Sequence, residues 1–178
     1  MPYGLGNPVE VSEVRKYWIP RSDVGTYRTL QIMAQIVNES LVDPYVVNKA
    51  KQIVAFCPEK NTVCQGRTIF EWARNHTKFI RDPSGVELLH TPKYQLQSIE
   101  RGSFIQIDCD DFSVLTASLG KAVGMPAKFV ILGFIENNAP FTHVYTILKT
   151  GKAWMPLDQK GDKPIPRRYI TRKEFFSV

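Results

Sequence analysis

The sequence predicts an α+β domain in which helices come first, a small antiparallel sheet follows, and one cysteine-bearing helix packs on that sheet. Three observations carry this expectation. Apolar residues recur at helical spacing from Tyr27 to Phe56. Apolar runs of strand length, separated by turn residues, fill the chain after Ala127. Between them, Asp108-Cys109-Asp110-Asp111-Phe112 opens a helix that is apolar along its length. A chain of 178 residues holds one such core, so a second independent domain is not expected. The predicted organisation is an extended arm over 1–22, the domain over 23–160 and a basic tail over 161–178.

The arm contains Pro2, Pro8 and Pro20 and only a short apolar patch around Val14, Tyr17, Trp18 and Ile19, which suits either packing on its own domain or an assembly partner. A first helix is predicted from Thr26 to Leu41, through Tyr27, Leu30, Met33, Ile36 and Val37. Asp43 as N-cap with Pro44 at the first helical position opens a second, carrying Val46, Val47, Ala50 and Ile53. Thr68 to His76 reads as a third helix that leaves as an extended Lys78–Asp82. Residues 82–107 contain Pro83, Gly85, Pro92 and Gly102 and read as a long loop forming one wall of a cleft. Ala127–Ile135, apolar on both faces, is a central strand, with a turn at Glu136–Pro140.

The cysteine helix has the clearest local signals. Asp108 is a good N-cap, and Asp111 stands where a capping box would reach back. Leu115, Leu119, Ala122 and Val123 continue the periodicity, and Gly124 followed by Pro126 stops it. Cys109 therefore sits in the first turn, where the helix dipole favours a thiolate. Asp108, Asp110 and Asp111 oppose it, so the cysteine needs a cationic partner. The strand Thr142–Leu148 carries His143, and Ala153–Asp158 follows it, ending in an acid. Cys109, His143 and Asp158 would form a nucleophile, a base and an orienter.

The hairpin joining base and orienter allows a register prediction. A two-residue Thr150-Gly151 loop would pair residues whose numbers sum to 301, and 143 + 158 = 301, so His143 would lie directly opposite Asp158. The same register pairs Val144 with Leu157, Thr146 with Met155 and Leu148 with Ala153. A slip of one residue would put the pair on opposite faces.

In this order, with Asp108-Cys109-Asp110-Asp111-Phe112 at a helix start, His143-Val144-Tyr145 in a strand and Trp154-Met155-Pro156-Leu157-Asp158 in the next, the chain resembles the transglutaminase-like branch of the papain-fold cysteine enzymes over residues 43–160. Ile107 replaces a frequent glycine, and Gln159 a frequent proline. The resemblance implies a papain-like fold and amide hydrolysis or acyl transfer through a thioester on Cys109, with a peptide or protein amide as substrate. Its oxyanion would be met by the Cys109 N–H and a side-chain donor, with Gln106 nearest in sequence and Gln95, Gln97 and Tyr94 also upstream. The Thr26–Leu30 and Asp43–Val46 segments are similar to phage- and prophage-encoded members. The competing reading is a binding module, the fold reused for assembly in a phage particle.

Composition narrows the remaining classes. No apolar run approaches a membrane span, and Met1–Gly6 lacks a signal-like pattern, which predicts a chain kept in the cytoplasm of the host or in a virion. The net charge of +6, partly in Arg167, Arg168, Arg172 and Lys173, is read as a solvated basic tail, with nucleic acid ranked last among partners. Three cysteines exclude a complete disulfide framework; Cys57 and Cys64 are expected as reduced structural thiols, with a disulfide or half a zinc site as alternatives. His76 and His90 have no apparent partner in sequence, and no metal or cofactor is expected.

Overall fold

Helix starts in this chain are made by side chains that accept from their own first turn, which satisfies N–H groups that otherwise have no intrahelical partner. The computed structural model describes residues 14–19, 22–83, 87–134, 140–160 and 167–178. In chain order the elements are β1 (Val14–Tyr17), α1 (Asp23–Ser40), α2 (Pro44–Ile53), α3 (Thr62–His76), β2 (Thr77–Phe79), β3 (Glu87–His90), α4 (Pro92–Gly102), β4 (Ile105–Ile107), α5 (Cys109–Ala122), β5 (Ala127–Phe134), β6 (Phe141–Thr150), β7 (Ala153–Leu157) and β8 (Ile170–Ser177). Ser22, Asp43, Asn61, Thr91 and Asp108 are the five N-caps.

The α+β class is the one observed. Helix α5 runs through the middle, with ten consecutive buried residues from Asp111 to Gly120, packed against α1, α2, α3 and β6. Phe112, Leu115 and Leu119 are essentially inaccessible, each contributing about 1.5–3 kcal/mol by burial. The main sheet has strand order β7-β6-β5-β8, so β5 is central as its unbroken apolar run requires. Gly120 sets the approach of helix to sheet. A Cβ there would lie 2.4 Å from Leu148 Cδ2, so a larger residue fits only if Leu148 shifts.

Several expectations are corrected. Residues 82–107 are not one long loop: they contain β3, α4 and β4. Pro92 opens α4 from a Thr91 cap, just as Pro44 opens α2, instead of breaking the chain. Helix α3 begins at Thr62 because Asn61 caps it, accepting from Cys64 N–H at 3.0 Å. The basic tail is replaced, over Ile170–Ser177, by β8, an antiparallel edge strand on β5. Within the arm, Val14–Tyr17 is paired antiparallel with β3. Residues 136–139 of the expected turn, and 1–13 and 161–166 of the arm and tail, lie outside the described residues.

The hairpin register is also corrected. Thr146 pairs with Leu157 and Ile147 with Pro156, sums of 303, so the two-residue loop is Gly151-Lys152. Gly151 takes φ +60°, the conformation a type II′ turn demands at its first central position, while β-branched Thr150 stays buried in the strand. A slip of two residues preserves every side chain's face, so His143 and Asp158 stay together, now diagonally and with Asp158 just past the strand end.

Cys57 and Cys64 form a disulfide between the end of α2 and the first turn of α3, with Cα atoms 5.8 Å apart. The expectation of reduced thiols is overturned. Asn61 explains the geometry. Capping α3 three residues before Cys64, it places that cysteine in the first turn, within disulfide reach of Cys57.

Candidate active site

Cys109, the free cysteine, is the first residue of α5 and stands at the mouth of the buried helix. Asp108 Oδ1 accepts from the N–H groups of Asp110 (3.0 Å) and Asp111 (3.2 Å), which fixes the turn that presents the sulfur. The thiol points at Asp110 Oδ1, 3.5 Å away, and the Val144 N–H is directed at the sulfur from β6. Burial pushes the Cys109 thiol well above its ordinary range, and the charges of Asp110 and Asp108 push it further. The helix dipole does not overcome them.

His143 lies on β6 and is 4 % exposed. Its Nε2 is 2.9 Å from Asp158 Oδ2, and Asp158 is itself held by the Lys160 N–H on Oδ1 at 3.0 Å. The other ring nitrogen, Nδ1, is buried and has no hydrogen-bond partner. Cys109 and His143 line the same cavity, of about 460 Å³, without a hydrogen bond between them. In this state the thiol keeps its proton.

The upstream amides do not reach this cavity. Gln106 sits on β4 opposite Lys78 with its side chain exposed, because β4 turns Ile107 inward. Gln95 is fully buried, but its Nε2 donates to the carbonyls of His90 (3.2 Å) and Asp111 (3.1 Å). Tyr94 stacks on His90, and Gln97 is half-buried on α4. None of the four is among the described residues lining the cavity. The N–H of Cys109, left outside the Asp108 cap, is the remaining candidate from the expected pair.

Sequence reasoning missed an acidic neighbourhood. Asp111 does not complete a capping box: its Oδ1 accepts the His90 N–H at 2.7 Å and its Oδ2 meets His90 Nδ1. Burial works against charge on His90, but the Asp111 carboxylate outweighs it and raises the imidazole. This pair, absent from the sequence reading of both residues, ties β3 to α5 and brings Glu87 beside Asp110. Oxygens of Asp82, Glu87 and Asp108 lie within 4.8 Å of one another, a set that could ligate a hard divalent cation. Burial, together with Asp110 and Asp111, pushes the Asp108 carboxyl up to about 9. Asp110 is raised by burial and by its hydrogen bond with Glu87, and Glu87 by burial. No local motif announces the cluster, since its members come from three separate elements and loops.

With this geometry in hand, the chain can be compared with known proteins. The profile of the transglutaminase-like superfamily matches residues 47–159. No curated protein matches the chain. Among solved structures it is similar to one named a "putative protease" from Parabacteroides distasonis (TM-score 0.53, 12 % identity, 73 % of this chain and 26 % of that one). It is also similar to a "putative cysteine protease" from Cytophaga hutchinsonii (TM-score 0.50, 14 % identity, 80 % and 51 %). The chain therefore spans about a quarter and about half of the lengths of these two. At such identities the likeness concerns the fold.

Proposed function

This chain belongs to the transglutaminase-like superfamily, and from that premise we propose that it is a cysteine-dependent amide hydrolase or acyl transferase working through a thioester on Cys109. One observation carries the reading. Asp158 occupies His143 Nε2 and leaves Nδ1 buried, unpartnered and on the cavity that holds Cys109. An imidazole oriented in this way is a base waiting for a proton.

The steps follow from the groups present. Substrate entering the cavity closes the gap between sulfur and imidazole; as Sγ attacks the amide carbonyl, its proton passes to Nδ1. Asp158 stabilises the imidazolium that forms. The Cys109 N–H, at the positive end of α5, meets the oxyanion. Collapse of the tetrahedral intermediate expels the amine, which takes the proton back from Nδ1 and leaves an acyl thioester. Water attacking that thioester completes hydrolysis, and an amine attacking it completes transfer. The acyl-accepting step begins again with proton transfer to Nδ1.

The test is a burst assay with p-nitrophenyl acetate. Wild-type protein should release one equivalent of nitrophenolate rapidly and carry the acetyl group on Cys109 by peptide mass analysis. Cys109→Ala should lose the burst, and His143→Ala should slow it roughly 10²- to 10⁴-fold, the usual contribution of a positioned base. A burst that survives Cys109→Ala would end the nucleophile assignment. Acylation as slow as that of a free thiol would leave the fold without its chemistry, as an assembly module requires.

A further inference from the structure

The cavity over Cys109 has a chemical character that amide hydrolysis by itself does not call for. Its floor carries two carboxyl groups, Glu87 and Asp110, beside the sulfur and His143. Its walls are apolar, with Leu30 and Met33 from α1 facing Ile131 and Phe141 from the sheet. No lysine or arginine is among the described residues lining it. Arg172 stacks on the Phe141 ring of the wall and is engaged by Asp23 at 2.8 Å and Glu174 at 3.6 Å. Two polar atoms are buried without partners at this site: Glu87 Oε1 and Nδ1 of His143, the latter on a side chain that is almost fully enclosed.

We propose that this cavity selects a substrate carrying a cationic group, an ammonium or guanidinium on an apolar stem, seated against the paired carboxyls of Glu87 and Asp110 beside the reacting carbonyl. This deepens the amide hydrolase or transferase reading and rests on it. The volume of about 460 Å³ lies in the range of small-ligand sites and accommodates such a side chain together with the carbonyl that Cys109 attacks. An ammonium has only donors to offer, and Glu87 Oε1 is an acceptor with nothing to accept. The apolar walls match the methylenes of the stem, which a long basic side chain buries while its head stays polar. An anionic substrate would instead meet Glu87 and Asp110 without a compensating lysine or arginine among the described lining residues.

Selectivity resides in Glu87 and Asp110, the two carboxyl groups on the cavity lining.

Methanethiosulfonates of three charges test this without turnover. In each, the sulfur of Cys109 forms a disulfide with the reagent's thioalkyl group, methanesulfinate leaves, and the thiol proton goes to His143 or solvent. The rates of 2-aminoethyl, methyl and 2-sulfonatoethyl methanethiosulfonate at Cys109 are measured on the full chain and divided by the rates on a small free thiol. The cationic reagent should be favoured over the anionic one by about tenfold or more at low salt. Glu87→Gln and Asp110→Asn should each reduce that ratio, while the methyl reagent reports any general change in reactivity. A normalised ratio near one overturns the proposal, as does a ratio unchanged in both variants, or failure of all three reagents to reach Cys109 in folded protein. A clear charge preference with no nitrophenolate burst would sink the hydrolase reading alone.

Discussion

Cys109 is surrounded by acids, and its behaviour as a thiol follows from that. With its proton held above all by burial, the thiolate fraction at neutral pH should fall below that of free cysteine. Iodoacetamide should therefore label Cys109 more slowly than free cysteine at pH 7, the reverse of what a first-turn cysteine suggests on its own. Asp110→Asn should speed the reaction, and labelling of wild type faster than free cysteine would refute this electrostatic picture. Asp108 gives a companion prediction on stability. Its carboxyl is held up to about 9, far above an unfolded value of about 3.9, so the folded state binds the extra proton. Stability is then fully present below the unfolded value and is lost as pH rises toward 9, at no more than about 1.4 kcal/mol per pH unit. Asparagine keeps the cap without ionising. Thermal unfolding of Asp108→Asn at pH 5 and pH 8 should show a smaller difference than wild type; an equal difference would place the pH dependence elsewhere.

At the level of elements, caps and crossings decide what forms. Asp43-Pro44 and Asp108 were readable as helix starts because each precedes an apolar run of helical period. Thr91-Pro92 carries the same signal, yet beyond Pro92 α4 buries a narrow stripe of Gln95, Leu96 and Ile99, so its periodicity is weak beside its proline and glycine. The contact of α5 with β6 rests on Gly120. Gly120→Ala gains helix propensity of about 1 kcal/mol. It also drives a Cβ to 2.4 and 2.7 Å from the methyls of fully buried Leu148. The net effect should be a loss of about 1–3 kcal/mol, seen as a lower denaturant midpoint. A neutral result would mean that Leu148 finds another rotamer in the core.

For the molecule as a whole, the arm and the disulfide are integral features. β1 is laddered on β3, Arg15 pairs with Glu39 at 2.5 Å, Ser22 caps α1, and Ile19 and Ser22 line the active cavity. Deleting residues 1–22, harmless if the arm were loose, should therefore lower the unfolding temperature and speed labelling of Cys109; an unchanged melting curve would show the ladder to be dispensable. The Cys57–Cys64 link closes a short loop, and its removal as Cys57→Ser/Cys64→Ser should cost about 2–3 kcal/mol in unfolding free energy. Equal stability of oxidised and reduced protein would argue against that contribution.

The sequence by itself determined the class of the domain, the cap of the cysteine helix, the strand that carries His143 and the acid that follows it, because each is written in a local period or a few adjacent residues. The hairpin arithmetic was wrong by two residues because Gly151, not Thr150, accepts the left-handed first turn position, and right about the shared face because side chains alternate with a period of two. Only the tertiary structure decided the rest. His90 and Asp111 lie 21 residues apart, and Glu87 reaches Asp110 only once β3 is tied to α5. Arg172 and Lys173, expected in a solvated tail, lie in an edge strand because β5, apolar on both faces, needs a neighbour on each side. Burial among acids, which no residue carries in its own identity, is what turns Cys109 from an activated thiolate into a protonated thiol.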